Sequence, residues 1–474
     1  MTRTRRIGLF WLLLCSGIFV VWGSVVESTS PAGMIDFRAV YYGTQCLIQH
    51  RDPYKEGEFL RVYQADGGQF PSDPTLSRTF RRAVPVCINL PTSLFLIAPF
   101  AILAWGPAHV LWIILLAGCL IFAAFLMWDL AENYAPGISL FLICILLANS
   151  EVLFLSGNLA GIAISLCVVA VWCFIKGRFV PAGVLCLAVS FALKPHDAGL
   201  VWLYFLLAGA PHRKRALQTL VVTLVLCLPA ILWVSHVAPH WTQELHSNLL
   251  STSAHGDIND PGPTSISGHT ADLVIDLQTV ISVFRDDPRI YNPVSYLVCG
   301  ALLLVWSLKT LKSRISTTSA WLALAAIVPL TMLVTYHRPH DAKLLLLTVP
   351  ACAMLWAEGG LIGWTALLVN TAGIVFTGDI PLAILFIYTK NLHAGTAGLP
   401  GKMLTVMLTR PSPLILLAMG IFYLWVYVRR APARATTTEH EWPEETPIAS
   451  MTAYGTSCIS PHSAPCLDEV VGGG

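Results

Sequence analysis

Ile7-Gly8-Leu9-Phe10-Trp11-Leu12-Leu13-Leu14-Cys15-Ser16-Gly17-Ile18-Phe19-Val20-Val21-Trp22-Gly23 is an apolar run without a charge. Arg3, Arg5 and Arg6 stand before it, and the polar stretch Glu27–Leu90 follows. A basic start and an apolar run also describe a signal peptide. No small-x-small cleavage site follows, so an uncleaved first membrane span over 7–26 is expected. Leu12-Leu13-Leu14-Cys15 lacks the small residue that precedes a lipidated Cys. Further runs of spanning character lie at 107–128, 137–156, 158–175, 180–194, 197–210, 216–237, 292–310, 319–336, 341–357, 360–378 and 411–429. The expectation is an all-α polytopic membrane protein with about 12 transmembrane helices, two of them (180–194 and 197–210) short.

Composition agrees. Of 474 residues, 55% are hydrophobic and 12% charged, against about 25% charged in soluble domains. Mean hydropathy is +0.67. The net charge is +2 and no basic stripe with interleaved aromatics occurs, so nucleic acid is not an expected partner. The 15 Trp and 13 Tyr suit a chain with two membrane interfaces. Most of the 13 Cys fall inside apolar runs, with no CxxC spacing, and read as small apolar residues. Cys46 and Cys87 share the first polar segment and are candidates for a disulfide if it faces an oxidising compartment.

Basic residues orient the spans. Arg3/Arg5/Arg6, Lys176/Arg178, Arg213/Lys214/Arg215, Lys309/Lys312/Arg314 and Arg429/Arg430 all fall on the cytoplasmic side if the chain crosses twelve times. That parity requires 91–104 and 380–389 to lie along the membrane rather than cross it. The outer side then receives 27–106, Gly157-Asn158, Pro195-His196-Asp197, the segment 238–291 and His337-Arg338-Pro339-His340-Asp341. Both termini are cytoplasmic. Residues 1–430 form the membrane domain, and 431–474, rich in Thr, Pro, Glu and Ser, reads as a disordered tail.

Ionisable residues at membrane depth are costly and are candidates for function. Lys194-Pro195-His196-Asp197 breaks an apolar stretch between two short helices. A Lys194–Asp197 pair satisfying itself in a turn is the plain alternative, though four polar positions exceed what a turn needs. His337-Arg338-Pro339-His340-Asp341-Ala342-Lys343 joins two spans on the same side. Its Arg and His donors suit phosphate oxygens, and a solvated interfacial loop is the plain alternative. As a metal site it is weak, because Pro339 spoils helical ligand spacing and no third cluster obviously completes it. Asp36 stands about ten residues past the first span, at headgroup height, or is only a loop carboxylate. Asp52-Pro53-Tyr54 reads as a turn or a site element. Arg81 and Arg82 read as anion ligands or interfacial anchors, and Asn158 as a ligand or a helix cap. His240, Glu244, His246, His255, Asp257, Asp260 and His269 lie in 238–291, which is long enough for a lid. Their spacing fits no metal template, and no cofactor is expected.

This set suits a lipid-phosphate-linked sugar. Displacing phosphate from an anomeric carbon needs a base for the incoming hydroxyl and positive charge for the departing phosphate. No Walker loop, GxSxG or zincin helix is present.

At these residues the chain resembles the polyprenyl-phosphate-dependent membrane glycosyltransferases of the GT-C superfamily. More narrowly it resembles glycosyltransferase family 87, the DUF2029 group, which includes α-mannosyltransferases and arabinofuranosyltransferases. The matching pieces are Asp36-Phe37 with Tyr41-Tyr42, Asp52-Pro53-Tyr54, Leu90-Pro91 to Pro99, Gly157-Asn158, Lys194-Pro195 and the late His-containing turn. The resemblance implies a GT-C-like fold with juxtamembrane helices at the outer face of the plasma or inner membrane. It implies inverting, metal-independent transfer of a mannose- or arabinofuranose-like sugar from a polyprenyl-phosphate donor to a lipid or glycan acceptor. Asp36 is then the base, and Asp52, Tyr54, Arg81, Arg82, Asn158, Lys194, His196, His337, Arg338 and His340 bind substrate. A flippase for a lipid-linked saccharide is a second reading, since broken helices occur in transporters. An inactive scaffold is a third, because Gly157-Asn158 lacks the Gln that the family often carries.

Overall fold

Inside a bilayer every backbone N–H and C=O must find its partner within the chain, so apolar runs fold as helices. The computed structural model describes residues 3–266, 274–378 and 398–430 together with Ile384, and no strand occurs among them. The first helix is α1 (Arg3–Thr29). The polar stretch after it folds into α2 (Ile35–Ile48), α3 (Glu56–Ala65), α4 (Pro74–Ala83) and α5 (Pro91–Ala101). Then come α6 (Trp105–Ala131), α7 (Pro136–Ala148), α8 (Val152–Ser156), α9 (Ala160–Lys176), α10 (Val180–Leu193), α11 (Pro195–Leu207) and α12 (Ala210–Val237). The second long polar segment holds α13 (Trp241–Thr252) and α14 (Leu277–Phe284). The rest is α15 (Pro288–Lys312), α16 (Thr317–Val334), a 3-10 helix over Asp341–Thr348, α17 (Val349–Glu358), α18 (Gly360–Phe376), α19 (Leu399–Thr409) and α20 (Pro411–Arg430).

Among the described residues seven helices are long and apolar enough to cross a membrane: α1, α6, α7 with α8, α12, α15, α16 and α20. Helices α9, α10 and α18 are apolar but shorter. The two short spans expected from sequence are α10 and α11, of 14 and 13 residues, and they meet at Lys194. Helix α16 is the centre of the bundle, with 83% of its most apolar window buried, whereas only 17% of the corresponding window in α12 is covered. Helix α12 therefore presents Leu217, Val221, Leu224, Val225 and Leu228 outward, as a lipid-facing helix does.

Helix α5 has 11 residues and rises about 16 Å, too little to cross a hydrocarbon core of about 30 Å. It is tied to the end of α10 instead. Thr92 Oγ1 donates to Ala192 O at 2.6 Å and Ser93 Oγ to Leu193 O at 3.0 Å, satisfying carbonyls that a helix C-terminus leaves open. Thr44 Oγ1 of α2 donates to Leu94 O at 3.1 Å. Cys46 and Cys87 are buried free thiols, so the disulfide open from sequence is not formed. Burial pushes Cys87 up to about 11 and Cys46 higher still.

The two ends of the bundle differ in charge. Arg5 Nη2 lies 3.1 Å from Asp129 Oδ1 and Lys176 Nζ 3.4 Å from Asp129 Oδ2. Arg215 Nη1 donates to Phe174 O at 2.7 Å. Tyr427 Oη donates to Thr310 Oγ1 at 3.4 Å, joining the ends of α20 and α15, and Arg430 pairs with Glu358. Tyr134, just past α6, bonds to Trp321 in the first turns of α16, which follows α15, and so the start of α1 and the ends of α6, α9, α15 and α20 gather at one end. At the other end Glu27 meets His109 at 3.2 Å. Residues 380–383, 385–389, His269 and the tail 431–474, each given a reading from sequence, lie outside the described residues.

Candidate active site

The site forms where α2 and α9 begin and where α10 breaks. Met34, at φ 58°, precedes α2, and its N–H donates to Leu155 O at 2.7 Å. Gly157 has φ 64°, and a Cβ there would lie 2.5 Å from Met34 Sδ and 2.8 Å from Phe37 Cβ. Only glycine combines that backbone with that approach. The chain leaving Gly157 puts Asn158 beside Asp36: Asn158 Nδ2 donates to Asp36 Oδ2 at 2.7 Å. Asn158 Oδ1 accepts from Ala160 N at 2.8 Å and so caps α9. Capping and contact with Asp36 are thus one arrangement. Asp36 is half-buried in the first turn of α2, where the helix dipole favours a carboxylate.

Lys194 comes next. Its Nζ donates to Asn158 Oδ1 at 3.2 Å and to Asp341 Oδ1 at 2.5 Å, and lies 3.6 Å from Asp197 Oδ2. The local Lys194–Asp197 pair therefore exists, but the shorter bond reaches across the chain. Asp341 is a hub. Its Oδ2 accepts from Arg338 N at 2.8 Å, and its Oδ1 lies 3.6 Å from His340 Nε2. His337 Nδ1 is 2.8 Å from Thr335 O and its Nε2 is 3.4 Å from Asp197 Oδ1. The His196 ring packs edge-on to His337, with centroids 5.0 Å apart. Arg338 Nε donates to the Tyr336 hydroxyl and Nη2 donates to Ile258 O at 3.1 Å.

Burial works against charge throughout. It lowers Arg338, with Asp36 and Asp341 opposing. It takes His340 down to about 4, Asp341 only partly countering. For His337 burial is again the largest influence, but the Asp197 and Asp341 carboxylates more than offset it, so this imidazolium is favoured.

Asp36, Asn158, Lys194, His196, His337, Arg338 and His340 thus belong to one cluster. The other four residues singled out from sequence have partners of their own. Asp52 Oδ1 accepts from Tyr54 N at 3.0 Å, closing a turn, and Tyr54 Oη donates to Asn89 O. The Arg81 guanidinium lies 3.9 Å from the Phe70 ring centroid. Arg82 Nη2 lies 2.7 Å from Asp257 Oδ2. Asp197 and Asp341, which hold the cluster together, were visible in sequence only as members of two polar breaks. Lys343, in the same late turn, reaches away to Asn149 O at 2.5 Å.

Among the described residues, two groups bring metal-ligating atoms within 4.8 Å of one another: His196, Asp197 and His337, and His255, Asp260 and Asp286. The first is the completion that sequence spacing did not show. In it, Lys194 already sits beside the carboxylate and balances its charge. In the second, Asp260 is taken up by Gly256 N, Gly262 N and the Tyr291 hydroxyl.

No curated protein and no solved structure matches the chain. A family model described as glycosyltransferase family 87 matches residues 88–335, just over half of the chain. The match takes in Asn158, Lys194, His196 and Asp197, and stops short of Asp36 on one side and His337 on the other. With that match, a helical membrane architecture and a buried polar cluster at one end of the bundle, the chain belongs to glycosyltransferase family 87 and is a membrane glycosyltransferase.

Proposed function

We propose that this enzyme transfers a mannose- or arabinofuranose-like sugar from a polyprenyl-phosphate donor to a lipid or glycan acceptor at the outer face of the membrane, with inversion and Asp36 as base. The observation that carries the reading is the bond from Asn158 to Asp36, which attaches the carboxylate to the Lys194–Asp341 network. Asp36 also acts electrostatically on Lys194, Arg338 and His340.

In the reaction Asp36 accepts the proton of the acceptor hydroxyl as that oxygen bonds to the anomeric carbon. The bond from that carbon to the phosphate oxygen breaks, and the polyprenyl phosphate leaves with the electron pair. Asn158 aims the carboxylate. Lys194, Arg338 and the imidazoles of His196, His337 and His340 supply donors to the departing phosphate. Lys194 is largely neutralised by two carboxylates, so Arg338 and His337, whose imidazolium the Asp197 and Asp341 carboxylates favour, offset the negative charge that the phosphate gains. The donor's tail stays in lipid while its phosphate reaches the interface, which fits a site at the end of the bundle.

The test is transfer from a panel of polyprenyl-phosphate sugars, wild type against Asp36→Asn. Loss of a general base typically costs about 10²–10⁴ in rate. An Asp36→Asn enzyme that keeps near-wild-type rate removes Asp36 from the mechanism.

A further inference from the structure

A polar cavity lies beside α2, and none of its wall residues belongs to the Lys194 network. It has a volume of about 310 Å³ and is lined by Arg38, Tyr42, Tyr63, Asp66, Gln69 and Trp105, among others. That is at the lower end of the usual range for small-molecule pockets, about 300–1,000 Å³.

Its walls are held in place. Gly67 has φ 77°, and a Cβ on Gly68 would lie 2.5 Å from the Tyr63 ring. This turn folds the chain back onto Tyr63, whose hydroxyl donates to Gln69 O at 2.7 Å. Arg38 Nε donates to Gly33 O at 3.0 Å, and the guanidinium lies 4.6 Å from the Trp105 ring centroid. Asp66 Oδ2 accepts from the Tyr42 hydroxyl at 2.8 Å.

Arg38 and Asp66 both line the cavity, yet no ion pair joins them among the described residues. This combination selects the occupant. An anion meets Asp66, a cation meets Arg38, and an apolar ligand takes water from the remaining donors and acceptors of both without replacing it. A neutral polyhydroxylated molecule donates to the carboxylate and accepts from the guanidinium at once. Pro31 and Arg38 are both wall residues, and Asp36 lies between them in the chain.

We propose that this cavity is a saccharide subsite that holds the acceptor glycan beside the helix turn bearing Asp36. The assignment to the acceptor rests on the transfer reaction proposed above; saccharide binding itself does not. The experiment is saturation-transfer NMR on the purified full chain in detergent, with a methyl mannobioside and a methyl arabinofuranobioside as probes. At least one probe binds wild type, and Arg38→Gln, Asp66→Asn and Gln69→Ala each weaken it tenfold or more. Asp36→Asn binds it as wild type does. Asp66 and Gln69 are exposed, so their variants remain informative if Arg38→Gln fails to fold. In transfer assays the Asp66 and Gln69 variants raise acceptor KM and leave donor KM unchanged. The subsite is overturned if neither probe binds wild type, or if all three variants bind as wild type does. An active Asp36→Asn enzyme would sink the base assignment and leave the binding result standing.

Discussion

Lys194 Nζ is an ammonium shared by Asn158, Asp197 and Asp341, with its side chain 12% exposed and both carboxylates 1% exposed. Removing one partner of a buried pair strands the other, typically at about 3–5 kcal/mol. Lys194→Met is therefore expected to lower thermal stability markedly in detergent and to abolish transfer. The double variant Lys194→Met/Asp341→Leu removes both charges of the shorter pair, and part of the lost stability returns on melting; the rest stays lost because Asp197 loses its ammonium and Arg338 N its acceptor. Transfer is expected to stay absent, because the site loses the Nζ donor proposed for the departing phosphate and the bond that holds Asn158 beside Asp36. A double variant that regains transfer would make Lys194 a purely structural residue. Sequence reasoning found Lys194 because a charge interrupts an apolar stretch, a local signal. It did not find Asp341 as the main partner, because 147 positions separate the two and no local pattern encodes a contact made by tertiary packing.

At the level of elements, the break after α8 does the positioning. Gly157 turns in the left-handed region against Met34 and Phe37, and Trp112 Nε1 donates to Gly157 O at 2.9 Å. Gly157→Val is expected to destabilise the protein by about 1–3 kcal/mol through strain and overpacking. It is also expected to lower kcat far more than donor KM, since the start of α2 moves and Asp36 with it. Thermal melting together with steady-state kinetics checks this, and an unchanged kcat would show that Asp36 does not depend on this contact. The helices themselves were legible: α5, α10 and α11 lie where 91–104, 180–194 and 197–210 were expected, because apolar run length and proline placement are written locally. The tertiary partners of Arg82 and Tyr54 were not. Arg82 turned to Asp257, 175 positions away, and Asn248 Nδ2 took Tyr54 O and Cys87 O, both at 3.0 Å.

For the whole molecule, the basic residues at the ends of α1, α9, α12, α15 and α20 share one end, and the Asp36 cluster occupies the other. The proposed outer-face site follows from this separation and the positive-inside rule. Gln64 and Arg213 are both exposed, one on α3 and one on α12. In a cysteine-depleted background, Gln64→Cys is expected to react with a membrane-impermeant maleimide on intact cells, and Arg213→Cys only after permeabilisation. The reverse pattern would turn the site toward the cytoplasm and remove the proposed donor.

The 238–291 segment bonds to both of its neighbours. Arg82 and Asn248 fasten it to the first polar segment, while Ile258 O receives Arg338 Nη2 and Ile275 N donates to His337 O. In the proposed reaction the departing phosphate and Ile258 O draw on one guanidinium, so filling the donor site and anchoring this segment are coupled through Arg338.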